Sequence, residues 1–171
     1  MKKNIILLMT AVFGVFVLAG CSEDDLKKTS AVLDSPTVEN DFDRWLAKNY
    51  MEPYNIDFKY RFKDVLGDMD YNLTPADYGQ AIKLAKLTLH LTLQVYDEVT
   101  GSRQFISENF PKIVHVIGSP AYNENNNIVL GVAEGGKMMT LYQVNIIDYL
   151  LNTKDIDQLN KLFFKTIHHE F

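Results

Sequence analysis

The single cysteine, Cys21, closes an N-terminal apolar run, and this constrains how the rest of the chain can fold. One thiol makes no intrachain disulfide framework and no multi-cysteine zinc or iron–sulfur site. A folded domain here must therefore rest on a hydrophobic core. Hydrophobic residues are 47% and charged residues 23% of 171, the proportions of an ordinary globular chain rather than of a disordered or polytopic membrane protein. The net charge of −5 offers no basic face for nucleic acid.

Lys2 and Lys3 precede an apolar stretch from Ile5 to Leu18, broken only by Thr10 and Gly14. It is short for a membrane span and reads as the apolar region of a signal peptide. The stretch ends in Leu18-Ala19-Gly20-Cys21, with small residues before the cut and a thiol after it. This resembles the lipobox of bacterial lipoproteins; the plainer alternative is a signal peptide with an incidental cysteine. The resemblance implies a diacylglyceryl group on Cys21, and two acyl chains suffice for stable anchoring. Residues 1–20 are then the signal peptide. Residues 21–37 form a polar tether ending in Ser35-Pro36-Thr37, and residues 38–171 form the folded domain. The acidic run Ser22-Glu23-Asp24-Asp25 resembles the surface-export signal of Bacteroidetes lipoproteins, although a solvated tether would look the same.

Periodicity organises the remainder. Phe42, Trp45, Leu46 and Tyr50 recur at spacings of three and four, which predicts a helix up to Pro53. From Asn55 to Phe62 the chain alternates: Ile56, Phe58, Tyr60 and Phe62 face one way, as in a half-buried strand. Thr74-Pro75, with Asp77 behind, predicts a helix start, and Thr100-Gly101 its end. Gln104 to Asn109 reads as a short helix. Lys112 to Ile117 is apolar on both faces and reads as a central strand. Ile128 to Ala133 and Lys137 to Val144 read as strands joined at Glu134-Gly135-Gly136. Asp155 to Phe171 is expected to be helical, with Ile156, Leu159, Leu162, Phe163, Thr166, Ile167 and Glu170 inward. The order of elements predicts an α+β fold.

The last residues are His168-His169-Glu170-Phe171, with no capping signal after them. On local chemistry the helix is expected to continue, and its last turn to fray. His-Glu on an amphipathic helix is the first half of H-E-x-x-H, in which two histidines one turn apart hold zinc and the glutamate serves as general base. His169 would be a metal ligand and Glu170 the catalytic acid/base, with the second histidine two positions past Phe171. His-Glu dipeptides are common, so a packed helix histidine stays open as an alternative.

The sequence resembles a family of Bacteroidetes lipoproteins known as zinc-binding metallopeptidases or substrate import-associated zinc metallohydrolases. The resemblance rests on Trp45-Leu46, Asn49-Tyr50, Pro53-Tyr54-Asn55-Ile56 and Tyr60-Arg61-Phe62. It continues through Val116-Ile117-Gly118-Ser119-Pro120, Ala133-Glu134-Gly135-Gly136 and Thr166-Ile167-His168-His169-Glu170-Phe171. It implies a zincin-like N-terminal subdomain, a mixed sheet packed on helices that ends in an incomplete active-site helix. It also implies zinc as cofactor, with His169 as first ligand and Glu170 as acid/base. The expected setting is the outer membrane, lipid-anchored and facing the cell surface, beside a nutrient-import complex and acting on a peptide or other polymer. With one ligand where three are needed, the chain as written is expected to hold zinc poorly and to hydrolyse nothing. The alternative is a non-catalytic lipoprotein that binds a substrate or partner of the import complex.

The other histidines have plainer readings. His168 points about 100° away from His169 on a helix, which suits a surface position. His90, in a leucine-rich helix, is expected at the core or its boundary, and His115, in the central strand, is expected to be buried. Glu134-Gly135-Gly136 lacks the pattern of a phosphate loop and reads as a hairpin turn. Zincin-type peptidases bind extended peptide on a sheet edge, and the strand Lys137–Val144 is the candidate for that edge.

Overall fold

Residues 39–67 and 71–171 are described by the computed structural model and belong to one compact unit, Val38–Phe171. Cys21 and the segments expected to be signal peptide and tether lie outside the described residues.

Helix α1 spans residues 41–54. Asn40 and Asp43 close a reciprocal capping box at its start, with Asp43 N donating to Asn40 Oδ1 at 2.8 Å and Asn40 N to Asp43 Oδ2 at 2.9 Å. Its buried residues are Phe42, Leu46, Tyr50 and Tyr54, every fourth position. In a pure α-helix that spacing would drift around the cylinder. A wider π turn at Ala47–Met51 absorbs the drift and keeps the four on one face. The helix passes Pro53 and ends at Asn55, whose φ of 55° caps it.

The strand predicted over 55–62 forms only as β1, Asp57–Lys59; Ile56, Phe58 and Tyr60 are buried in one cluster as the alternation requires, but Phe62, expected on their face, lies past the strand's end and packs with the other cluster. Helix α2 covers residues 78–100 with a π turn at Leu89–Leu93 and stops at Gly101, φ 71°. It starts later than predicted. Asp77 is the cap, accepting from Gln80 N at 3.2 Å, because Pro75 is held extended in a bridge to Ile117. Helix α3 is Gln104–Asn109.

Strand β2, Ile113–Val116, lies in the middle of a four-stranded sheet. After the short pair β3 (Ala121–Tyr122) and β4 (Ile128–Val129) come β5, Gly131–Glu134, and β6, Met138–Leu141. The order is β1-β2-β6-β5, with β1, β2 and β6 parallel and β5 antiparallel to β6. This is the mixed sheet of an α+β fold. The β5–β6 turn uses Gly135 and Gly136 at positive φ (55° and 71°), as a tight hairpin demands.

The sheet separates two apolar clusters. Phe58, Val114, Val116, Met139 and Leu141 meet the helices in the larger one. Ile117, Ala121 and Tyr142 form the smaller with Phe62, Tyr71 and Leu73. Helix α4, Ile147–Thr153, follows where the sequence predicts no element, after a strand that stops short of the expected Val144. The strand ends at Leu141 and the chain breaks at Gln143, φ 63°, into a 3₁₀ turn that leads into α4.

Gly118 shows why Val116-Ile117-Gly118-Ser119-Pro120 marks this fold. A Cβ there would lie 2.2 Å from the Pro75 carbonyl oxygen and 2.4 Å from Asn145 Nδ2. Three segments distant in sequence cross where only glycine fits. Gly118→Ala is expected to cost about 1–3 kcal/mol through forced backbone movement. Thermal unfolding measures it, and an unchanged midpoint would mean the crossing is looser than described.

Candidate functional site

The final helix, α5, spans residues 156–170. Asp155 caps it, accepting from Gln158 N at 3.0 Å. Leu159, Leu162, Phe163, Thr166 and Ile167 are buried as predicted, and the π turn Asn160–Phe164 brings Phe164 in with them. Ile156, expected inward, is 59% exposed, on the first turn before the helix reaches the core.

Helix α5 packs against β5 where glycine permits. A Cβ on Gly131 would meet Thr166 Cγ2 at 2.7 Å. One turn beyond Thr166, Glu170 Oε2 accepts a hydrogen bond from Ala133 N at 3.1 Å. In the β5–β6 ladder Ala133 faces Met139, so an amide that donates to Glu170 instead points to the open side of the sheet. The edge beside the helix is therefore β5. It is not the strand expected over Lys137–Val144, because β6 is enclosed between β2 and β5. Strand partners are set by the fold at large, which local alternation does not encode.

A cavity of about 510 Å³ lies along this junction, lined by Leu130 and Gly131 and by Lys161, Lys165, Thr166, His168, His169 and Glu170 of α5. His169 is exposed at its wall. His168 is turned to Tyr96, its Nδ1 3.2 Å from the hydroxyl. The last turn is packed rather than frayed. Phe171 lies 5.0 Å from the ring of Phe110, 5.2 Å from Tyr96 and 5.9 Å from Phe105. Gly131 and Ala133 N were missed as site residues; an isolated glycine in an apolar strand was the available signal.

His90 is exposed rather than at the core, and its Nδ1 lies 2.6 Å from Gln94 Oε1 one turn on. His115 is fully buried, with neither ring nitrogen hydrogen-bonded among the described residues. Burial holds its pKa below the ordinary 6.5, and the nearby Leu66 backbone, outside hydrogen-bonding geometry, offsets this only in part. The unfolded chain then takes up this proton first as pH falls. The neutral ring's contribution is complete above about 6.5 and is lost as pH drops toward the lowered folded value. His115→Leu is expected to flatten that part of the acid limb in denaturant titrations between pH 7 and 5. An unaltered limb would show that His115 does not set it.

A catalytic zinc takes three protein ligands and leaves a fourth position for water. Among the described residues no three His, Cys, Asp or Glu side chains converge. At the cleft His169 is available, His168 faces Tyr96, and Glu170 bonds the strand. These residues do not make a zinc site by themselves.

Residues 35–171 match a family described as "putative zinc-binding metallo-peptidase". A solved structure from Bacteroides caccae ATCC 43185 with the same description is 40% identical, with a TM-score of 0.56. The match covers 75% of this chain and 47% of that one, so the chain spans about half of that relative's length. No curated protein matches the sequence. With most of its length matched, and a relative at this identity, the chain belongs to this zinc-binding metallopeptidase family.

Proposed function

We propose that this chain is the N-terminal part of a zinc-dependent peptidase whose substrate lies in the cleft between α5 and β5. The observation that carries this reading is the Glu170–Ala133 hydrogen bond. It puts a candidate general base at the open edge of a sheet, where an extended peptide can add as a strand. One carboxylate oxygen is tied to the strand, which leaves the other to take a proton from an attacking water. His169, one residue earlier, supplies one ligand of the zinc that the family description implies, and two further ligands complete the set. Bound zinc would polarise the scissile carbonyl.

The same proposal places the protein on the outer membrane through a lipid on Cys21, facing outward, beside an import complex. Leu18-Ala19-Gly20-Cys21 and the acidic run to Asp25 support it. Cys21→Ser is expected to move the protein out of the membrane fraction. Changing Glu23, Asp24 and Asp25 to Ala is expected to protect it from proteases added to intact cells. Unchanged fractionation, or equal shaving of variant and parent, would remove the respective claim. For the chemistry, metal analysis and a peptide-library cleavage assay compare the chain as it stands with one extended through the rest of the motif and its downstream segment. Zinc and cleavage are expected only in the extended form. Zinc without cleavage there would favour the binding-only lipoprotein.

A further inference from the structure

We propose that the cleft between α5 and the β5 edge selects acidic peptides, with Lys161 and Lys165 as its specificity-determining residues. The proposal rests on the peptidase reading of this cleft and adds its substrate class.

Lys161, Lys165 and His169 follow one another at intervals of four on α5, and all three line the cavity. They form one row down its helical wall. Both lysines are exposed, and neither ammonium group makes an ion pair or a hydrogen bond among the described residues. The carboxylate in the lining is Glu170, and its Oε2 is engaged by Ala133 N. In a chain of net charge −5, this wall carries the opposite sign.

The row also has a usable period. Four helical residues rise about 6 Å. Alternate residues of an extended strand lie about 6.8 Å apart and share a face. A peptide lying along α5 in extended form would thus bring Glu or Asp side chains at every second position to Lys161 and then Lys165. The residue that follows in the row lies at His169. The opposite wall is Leu130 and Gly131, and in the ladder Gly131, like Ala133, turns its backbone groups to the open side of the sheet, which suits a peptide rather than an acidic polysaccharide. A solvated helix face would account for two lysines, but not for their alignment along a cavity that ends at the candidate base.

The test uses the full chain in detergent and fluorescein-labelled peptides of alternating Ala and Glu, with Gln and Lys counterparts, read by anisotropy. The Glu peptide is expected to bind tighter than its Gln isostere by about fivefold or more at low salt, the size expected of two partly exposed ion pairs. Added salt should shrink the gap. Lys161→Ala with Lys165→Ala should abolish the gap, and Lys161→Glu with Lys165→Glu should favour the Lys peptide. Lys86→Ala, on α2 away from the cleft, should leave the gap unchanged. Because both cleft lysines are exposed, the variants are expected to keep the parent's circular dichroism. Equal affinity for Glu and Gln peptides, persistence of the gap in the double alanine variant, or tighter binding of an oligogalacturonate of equal charge would overturn the proposal. The metal reading fails separately. Zinc retention in the extended chain should depend on His169 and not on the lysines. If it does not depend on His169 while the Glu–Gln gap stands, the zinc assignment falls and the acidic cleft remains.

Discussion

In the extended, zinc-retaining form, Glu170→Gln is expected to lower peptide hydrolysis by about 10²-fold or more while leaving the metal in place. A carboxamide has nearly the shape of a carboxylate, and its oxygen can still accept from Ala133 N. It cannot take a proton from water at neutral pH. The substitution thus separates the positioning of residue 170, read from the 3.1 Å contact, from its basicity. His169→Ala in the same form is expected to release the metal, since a three-ligand site loses an imidazole that nothing nearby replaces. His168 is engaged by Tyr96 and diverges from His169 around the helix. The paired outcome is what tests the assignment: one variant inactive with metal, the other inactive without it. If Glu170→Gln cleaved the library at the parental rate, Glu170 would not be the base. Stoichiometric zinc surviving His169→Ala would move the metal site elsewhere.

Features written in short-range chemistry were the legible ones. The alternation around Phe58, the stop at Gly101 and the Gly135–Gly136 hairpin each depend on a few adjacent residues, and each forms as read. Helix α4 escaped because its end carries no glycine. Lys154 takes the left-handed position itself, φ 56°, so the usual stop signal is missing. The start of α2 escaped for a tertiary reason, since Pro75 is diverted into a bridge with Ile117. The site shows the same division. His169 and Glu170 stand out as a dipeptide on an amphipathic helix. The partner of Glu170 is a backbone amide 37 positions away, and no sequence pattern announces which strand will lie at a sheet's edge.

Phe163→Ala is expected to destabilise the protein by about 3–5 kcal/mol, the range for deleting a fully buried aromatic ring. That is a large share of the roughly 5–15 kcal/mol that holds a domain together. Phe163 is 0% exposed and sits in the π turn of α5, in the cluster that joins the helices to Val114, Val116 and Met139. Its removal leaves a void beneath the helix that carries His169 and Glu170. Ile167→Val, one turn on and also buried, removes one methyl group and is expected to cost only about 0.5–1.5 kcal/mol. Lys161→Ala, on the exposed side, should stay within about 0.5 kcal/mol. Denaturant titration orders the three. The consequence for the site is local and can be read apart from global stability. The Ala133 amide is shielded by Glu170 only while α5 stays seated on β5 at Gly131. In Phe163→Ala that amide should exchange with deuterium faster than the Met139 amide in the interior strand, under conditions where the protein is still folded. If the two amides accelerate together, α5 and the sheet open as one unit, and the helix is not a separately adjustable wall of the cleft.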